Sequence, residues 1–118
     1  MEQSTGLTAE ALLERIVALA EEKKARDLVG LKLQGLTLIA DYFLLLTATN
    51  ARQAQAMSDH IYETLKDEGR QALRIEGYRD GRWILLDYGA VVVHIFQEDE
   101  RGYYDLEKLW GDAERIDF

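Results

Sequence analysis

Two segments of the chain carry apolar residues at the spacing of an amphipathic helix. Thr8 is a suitable N-cap for the first segment, and Asn50 is a suitable N-cap for the second, with Gln53 at the capping-box position. Gly69 stands where a glycine commonly ends a helix. The apolar positions are Leu12, Leu13, Ile16, Val17 and Ala20 in the first segment, and Ala54, Met57, Ile61 and Leu65 in the second. Both segments are predicted to be helices.

Runs of β-forming residues predict five strands, over residues 28–33, 42–47, 72–78, 82–87 and 90–96. The run at 42–47 is almost continuously apolar, which is typical of a central strand covered on both faces. A short closing helix is predicted over residues 104–110. The order is therefore α-β-β-α-β-β-β-α. We predict a single α/β domain, residues 1–118, with a mixed five-stranded sheet packed by helices.

Alternation along the last three strands sorts their side chains by face. Turns at residues 80–81 and 88–89 are expected. The resulting pairs are Ile75 with Leu86, Tyr78 with Trp83, Leu85 with Val92, and Trp83 with His94. One face is purely aliphatic and is predicted to belong to the core: Leu73, Ile75, Ile84, Leu86, Val91, Val93 and Ile95.

The opposite face of these strands mixes aromatic, aliphatic and charged residues. Its members are Arg74, Glu76, Tyr78, Trp83, Leu85, Asp87, Val92, His94 and Phe96. Large aromatic side chains among a few charges are typical of a protein-binding hot spot. Alternatively, the closing helix folds over this face, with Tyr104 and Trp110 filling it. Both interpretations remain open at this point, and each can apply to a different part of the face.

Charge narrows the class of partner. The net charge is −8, and residues 97–118 hold eight acids against three bases, a balance of −5. Such a chain is repelled by free DNA and by anionic membrane surfaces, whereas opposite potentials favour a basic protein. Acidity that only keeps the protein soluble is the alternative. The polar, acidic residues 1–6 do not resemble an export signal, there is no cysteine, and no apolar run spans a bilayer, so we expect a cytoplasmic protein.

The sequence contains few of the residue patterns that catalytic sites need. Gly30 and Gly35 have the spacing of a phosphate-binding loop, but Leu36 replaces the lysine that such a loop needs. His94 is a lone imidazole in an apolar strand, whereas a zinc site needs three or four convergent ligands. Asp41 and Asp87 are both predicted at strand ends. An enzyme that binds a metal and a nucleotide through these two carboxylates is the alternative hypothesis.

Four stretches of this chain resemble the ribosomal silencing factor family (RsfS, also called Iojap). They are Ala40-Asp41-Tyr42-Phe43, the segment 50–56 from Asn50 to Ala56, the segment 83–96 from Trp83 to Phe96, and the segment 101–113 from Arg101 to Ala113. The stretches occur in the same order as in the family, and the resemblance extends over nearly the whole chain. One departure lies at the hairpin turn, where Ala90 stands in place of an acidic residue that is common in the family.

The resemblance implies a non-catalytic factor without a cofactor. It implies binding to the large ribosomal subunit through ribosomal protein L-fourteen, a block to small-subunit joining that damps translation when nutrients are scarce, and a link to large-subunit assembly. A homodimer in the free form and a nucleotidyltransferase-like fold are also implied, although the glycine-serine signature and paired aspartates of active nucleotidyltransferases are absent. Together with the sorted face, it predicts these contact residues: Trp83, Leu85 and Asp87, flanked by Tyr78, His94 and Phe96.

Overall fold

Both predicted N-caps begin a helix in the computed structural model of the protein, which describes residues 8–118. The Thr8 hydroxyl accepts a hydrogen bond from the Ala11 N–H, and helix α1 (Ala9–Glu22) follows. Helix α2 (Ala51–Asp67) follows Asn50, and Gly69 lies just beyond its end with a φ of +90°. Local capping chemistry therefore determines where both long helices begin. The expectation about residues 1–6 lies outside the described residues.

The cap of α2 is a point of measurable stability. The Asn50 side-chain oxygen accepts the Gln53 N–H at 2.8 Å, and the Gln53 side chain in turn accepts the Thr49 N–H. Replacing Asn50 by alanine leaves one helix N–H without its partner, and we expect a loss of about 1 kcal/mol in the free energy of unfolding. Urea denaturation measures this loss. Asn50→Ser should recover most of it, and an alanine variant as stable as the wild type would contradict the assignment.

Within residues 8–118, six strands form one mixed sheet. In chain order they are β1 (Arg26–Lys32), β2 (Tyr42–Ala48), β3 (Arg74–Glu76), β4 (Trp83–Asp87), β5 (Val91–Gln97) and β6 (Glu114–Asp117). Their order across the sheet is β3-β4-β5-β2-β1-β6. Only the central pair, β2 with β5, is parallel. The described residues thus form one α/β domain, as the sequence predicts.

The prediction of five strands was wrong by one. The missing strand, β6, pairs antiparallel with β1 at the sheet edge and carries only one apolar residue, Ile116. Charged residues are common on edge strands because they discourage further pairing, and they also erase the alternating pattern. The closing helix was also placed too late. It begins at Glu98 as α3 (Glu98–Tyr104) and breaks at Asp105, where φ is +44°, before the short α4 (Leu106–Leu109).

The sheet is covered on both faces, which gives the core two parts. Helices α1 and α2 pack on one face, where Leu44, Leu46, Val93 and Ile95 are fully buried. The Tyr42 hydroxyl donates to the Glu10 carboxylate at 2.9 Å and ties β2 to α1. Burial and this carboxylate together raise the pKa of Tyr42 to about 12. The second face carries another apolar cluster. It packs against residues of the segment 98–113, which we call the closing segment.

The C-terminal strands confirm most of the predicted core face. Its members on β4 and β5 are fully buried under the helices: Ile84, Leu86, Val91, Val93 and Ile95. Leu73 and Ile75 were assigned wrongly. Leu73 is 72 % exposed and Ile75 is also exposed, because β3 is a three-residue edge strand that the helices do not cover.

The predicted register was correct for one pair of strands and shifted for the next. Ile75 pairs with Leu86 as expected. Across β4 and β5, Trp83 pairs with Phe96 and Leu85 pairs with His94, a shift of two residues from the prediction. The turn lies one residue later than expected, since Asp87 pairs with Val92 and not with Ala90. A shift of two leaves every side chain on its predicted face, because the side-chain period of a strand is two.

A glycine-bounded loop carries the chain from β3 to β4 in place of the expected tight turn. The Gly81 N–H donates to the Gly77 carbonyl at 3.0 Å, and both residues have positive φ. A Cβ on Gly77 would lie 2.0 Å from the Trp83 carbonyl oxygen, so no other residue fits there without moving the backbone. Gly77 therefore defines the path by which the chain enters β4.

Candidate protein-binding surface

Trp83, Leu85 and Asp87 lie on the same face of β4 and are all half-buried. They alternate with the buried Ile84 and Leu86, so they point away from α1 and α2. Trp83 and Leu85 pack against the second apolar cluster. We call this set of three residues the β4 surface. It presents part of an indole, an aliphatic side chain and a carboxylate on one face.

His94 and Phe96 lie beside the β4 surface, on the same face of the neighbouring strand β5. His94 is only 4 % exposed and Phe96 is fully buried, so as direct surface contacts these two predictions are not supported by the geometry. The Phe96 ring lies 4.8 Å from the Trp83 ring, measured between centroids. The two residues therefore flank the indole from the neighbouring strand.

His94 orients Trp83 through a hydrogen bond. The indole N–H of Trp83 donates to His94 Nδ1 at 3.1 Å. An indole nitrogen can only donate, so Nδ1 must be unprotonated and the imidazole proton must lie on Nε2. His94 Nε2 is buried and has no hydrogen-bond partner among residues 8–118. Burial lowers the pKa of His94 to about 4, and the side chain is therefore neutral at physiological pH.

Tyr78 lies apart from the β4 surface. It belongs to the loop between β3 and β4, and its hydroxyl donates to the Asp59 carboxylate of α2 at 3.0 Å. The Gln55 side chain also donates to the Tyr78 carbonyl at 2.9 Å. The predicted pairing of Tyr78 with Trp83 was wrong because the loop widens before it reaches Trp83. The structure consequently places Tyr78 against α2.

The Asp87 carboxylate already has two partners within the chain. One oxygen accepts the Gly89 N–H at 2.8 Å, and the other accepts a hydrogen bond from Arg74 Nε at 3.2 Å. Asp41 contributes backbone groups to the start of β2, where its N–H donates to the Ala90 carbonyl. Within residues 8–118, no group of three or more His, Cys, Asp or Glu residues could hold a metal ion. The enzyme hypothesis built on Asp41 and Asp87 gains no support from this geometry.

The closing segment covers part of the second face, which confirms the covering interpretation for that region, and the hot-spot interpretation stays a prediction for the β4 surface. Trp110 packs against the second cluster, and its ring lies edge-on to Phe43 at 6.0 Å. Arg101 ties α3 to the sheet by donating to the Thr47 hydroxyl at 2.9 Å and to Glu107 at 3.2 Å. The covered region lies over β1, β2 and β5, and the β4 surface lies beside it.

Tyr104 joins the two regions. Its ring centroid lies 4.7 Å from that of Trp83, and the side chain is 48 % exposed. From the sequence, Tyr104 was expected only to cover the face, and Tyr103 was not singled out at all. The consecutive tyrosines after Gly102, within an acidic segment, were the signal that could have identified them. No helix within residues 8–118 is long and apolar enough to cross a membrane.

The chain is similar to proteins of one family over nearly its whole length. Residues 7–118 match the family model described as ribosomal silencing factor during starvation, RsfS. The ribosomal silencing factor RsfS of Halalkalibacterium halodurans is 41% identical over 111 residues, which cover 94% of this chain and 95% of that protein. A crystal structure of a Chromobacterium violaceum protein superposes with a TM-score of 0.86 at 30% identity, covering 89% of this chain and 88% of the other.

A more distant relative comes from an organelle. The mouse protein named mitochondrial assembly of ribosomal large subunit protein 1 is 30% identical over 101 residues, which cover 83% of this chain and 44% of that protein. The family model and the bacterial relatives both match over nearly the whole length described above. This chain therefore belongs to the RsfS family of ribosomal silencing factors.

Proposed function

We propose that this protein silences ribosomes by binding the large subunit through ribosomal protein L-fourteen and blocking the association of the small subunit. The β4 surface is the observation that carries the proposal: Trp83, Leu85 and Asp87 stand together, half-buried, on a protein of this family. Trp83 and Leu85 act as apolar anchors, and Asp87 meets a lysine or arginine of the partner. Tyr78, His94 and Phe96 are not needed as direct contacts.

The anchor is preorganised, which favours tight binding. Trp83 is restrained by its hydrogen bond to His94 and by contact with the rings of Phe96 and Tyr104. A side chain that is already ordered loses less conformational entropy when a partner covers it. The net charge of −8 also speeds the encounter with a basic ribosomal protein.

Silencing by this route requires size and affinity and no chemical step. The molecule measures 42 × 33 × 23 Å along its principal axes. A rigid body at least 23 Å thick, held at the rim of a subunit interface, keeps the opposing ribosomal surfaces apart. We accordingly propose a non-enzymatic factor without a cofactor that acts in the cytoplasm. A dimeric free form and a nucleotidyltransferase-like fold remain predictions from the family resemblance.

A role in assembly of the large subunit is the second candidate function. The observation that favours it is the name of the mouse relative, which describes assembly of the mitochondrial large subunit. Both functions use the same partner, and binding to the mature subunit alone cannot separate them. Accumulation of incomplete large subunits in cells that lack the protein would favour assembly.

Sedimentation with purified ribosomal subunits tests the proposed function. We expect the protein to travel with the large subunit and not with the small one, and to reduce the formation of complete ribosomes when it is added before the subunits are mixed. Excess free L-fourteen should release the protein from the large subunit. Equal sedimentation with both subunits, or complete ribosomes forming at the normal rate on the bound complex, would contradict the proposal.

A further inference from the structure

An exposed apolar patch lies on the two short helices beside the β4 surface. Tyr103 is 82 % exposed, Tyr104 is 48 % exposed and Leu109 is 70 % exposed. We call these three residues the aromatic shelf. The rest of the closing segment turns its apolar side chains, Leu106 and Trp110, towards the second cluster. The shelf is therefore the side of α3 and α4 that does not pack against the second cluster.

The shelf continues the β4 surface without a break. The Trp83 and Tyr104 rings lie 4.7 Å apart, and the Tyr104 and Tyr103 rings meet edge to face at 5.0 Å, measured between centroids. These three rings form one aromatic path from β4 to the exposed side of α3. A partner large enough to cover Trp83 and Leu85 would also reach this path, since a typical protein interface buries about 800 Å² on each side.

The charges around the shelf indicate the chemistry of that partner. Asp99 and Glu100 line a cleft of about 360 Å³ together with Tyr103 and Tyr104. Arg101, in the same helix, is turned inward and donates to Thr47. The same two tyrosines and Leu109 also line a second cleft, which Lys108 and Asp105 border with one charge of each sign. The first cleft is therefore the one walled by carboxylates and aromatic rings.

We propose that this cleft receives an arginine or lysine side chain of the same basic protein that covers Trp83. The inference rests on the proposed function and extends its contact surface from β4 to α3 and α4. A tyrosine ring attracts a cation through its π face, and a neighbouring carboxylate adds an ion pair. RNA is a poor occupant, because its phosphates would face Asp99 and Glu100.

Two variants of the full-length protein separate the ring from the charge. Tyr103→Leu keeps an apolar side chain but removes the π face, and we expect binding to purified large subunits to weaken about fivefold. Asp99→Asn combined with Glu100→Gln removes two charges without changing size. We expect this double variant to associate several-fold more slowly and with a shallower dependence on salt.

Two matched controls remove similar side chains elsewhere, the first of them on the opposite layer of the molecule. Glu14→Gln combined with Glu21→Gln removes two exposed charges from α1, and it should leave the association rate and the salt dependence nearly unchanged. Leu38→Ala removes an exposed apolar side chain from the loop before β2 and should also bind normally. Circular dichroism of each variant verifies that it is folded.

The outcomes distinguish this inference from the proposed function. Large subunits that bind the wild type and both shelf variants equally would overturn the shelf and leave the β4 surface intact. A wild type that does not bind large subunits would overturn the proposed function and the shelf with it. Tighter binding by the Asp99 and Glu100 double variant would show that the occupant is a polyanion such as RNA, which also overturns the proposal.

Discussion

Replacing Trp83 and Leu85 together by alanine should weaken binding to the large ribosomal subunit by about a hundredfold or more. Both side chains stand half-buried on one face of β4, the geometry of anchors that a partner finishes burying. Loss of a single hot-spot residue commonly costs about 2 kcal/mol or more, and two neighbouring losses are seldom fully additive. Sedimentation or surface-based binding with purified subunits measures the change.

The double variant needs a folding control, because Trp83 also contacts its neighbours. Its ring packs on Phe96 and Tyr104, and we therefore expect a lower melting temperature together with an unchanged circular dichroism spectrum. Trp83→Phe keeps a ring in that position and should lose less affinity. Leu38→Ala removes an exposed leucine from the loop before β2 and should bind as the wild type does. A folded double variant with normal affinity would refute the β4 surface.

Mild acid should destabilise the protein through His94. Burial holds the pKa of the folded His94 at about 4, below the ordinary value of 6.5 that it regains in the unfolded chain. As the pH falls below 6.5, the unfolded chain takes up a proton that the folded protein refuses, so stability declines until the pH reaches about 4. The expected loss between roughly pH 7 and pH 4.5 is about 2.5 kcal/mol in the free energy of unfolding.

His94→Asn isolates this effect from the carboxylates, which also titrate in acid. An asparagine oxygen can take the place of Nδ1 and accept the Trp83 N–H, but it does not titrate. Urea denaturation at both pH values should show a smaller acid loss in this variant than in the wild type, by about 2.5 kcal/mol. His60→Asn serves as the control, because His60 is partly exposed on α2 beside Glu22 and should leave the acid loss in place. Equal acid sensitivity of His94→Asn and the wild type would contradict the burial of a neutral imidazole.

The two long helices and the central strands could be predicted from the sequence because local chemistry specifies them. Thr8 and Asn50 cap the helices that follow, and Gly69 stands beyond the second one. The strand β2 coincides with the apolar run at 42–47 and is buried at every position. The predicted faces of β4 and β5 were correct although the turn between them was misplaced. A register shift of two residues leaves each side chain on the same face.

Other features depend on contacts that are distant in sequence. The strand β6 is held in the sheet by pairing with β1, more than eighty residues earlier in the chain. Its own sequence has almost no alternation of apolar and polar residues. Tyr78 leaves the hairpin because Asp59 and Gln55 of α2 hold it elsewhere. Nothing in residues 72–87 themselves predicts the contacts with Asp59 and Gln55.

For the candidate binding surface, the sequence is enough to identify the candidate residues, and their exposure depends on the tertiary structure. Alternation placed Trp83, Leu85, His94 and Phe96 on one face. Only the folded protein separates the half-buried residues of β4 from the buried His94 and Phe96, because that difference depends on where α3 and α4 cover the sheet. The covering is in turn secured by Arg101, whose hydrogen bond to Thr47 spans 54 positions of the chain. A periodic pattern tells which way a side chain points, but its burial depends on what packs above it.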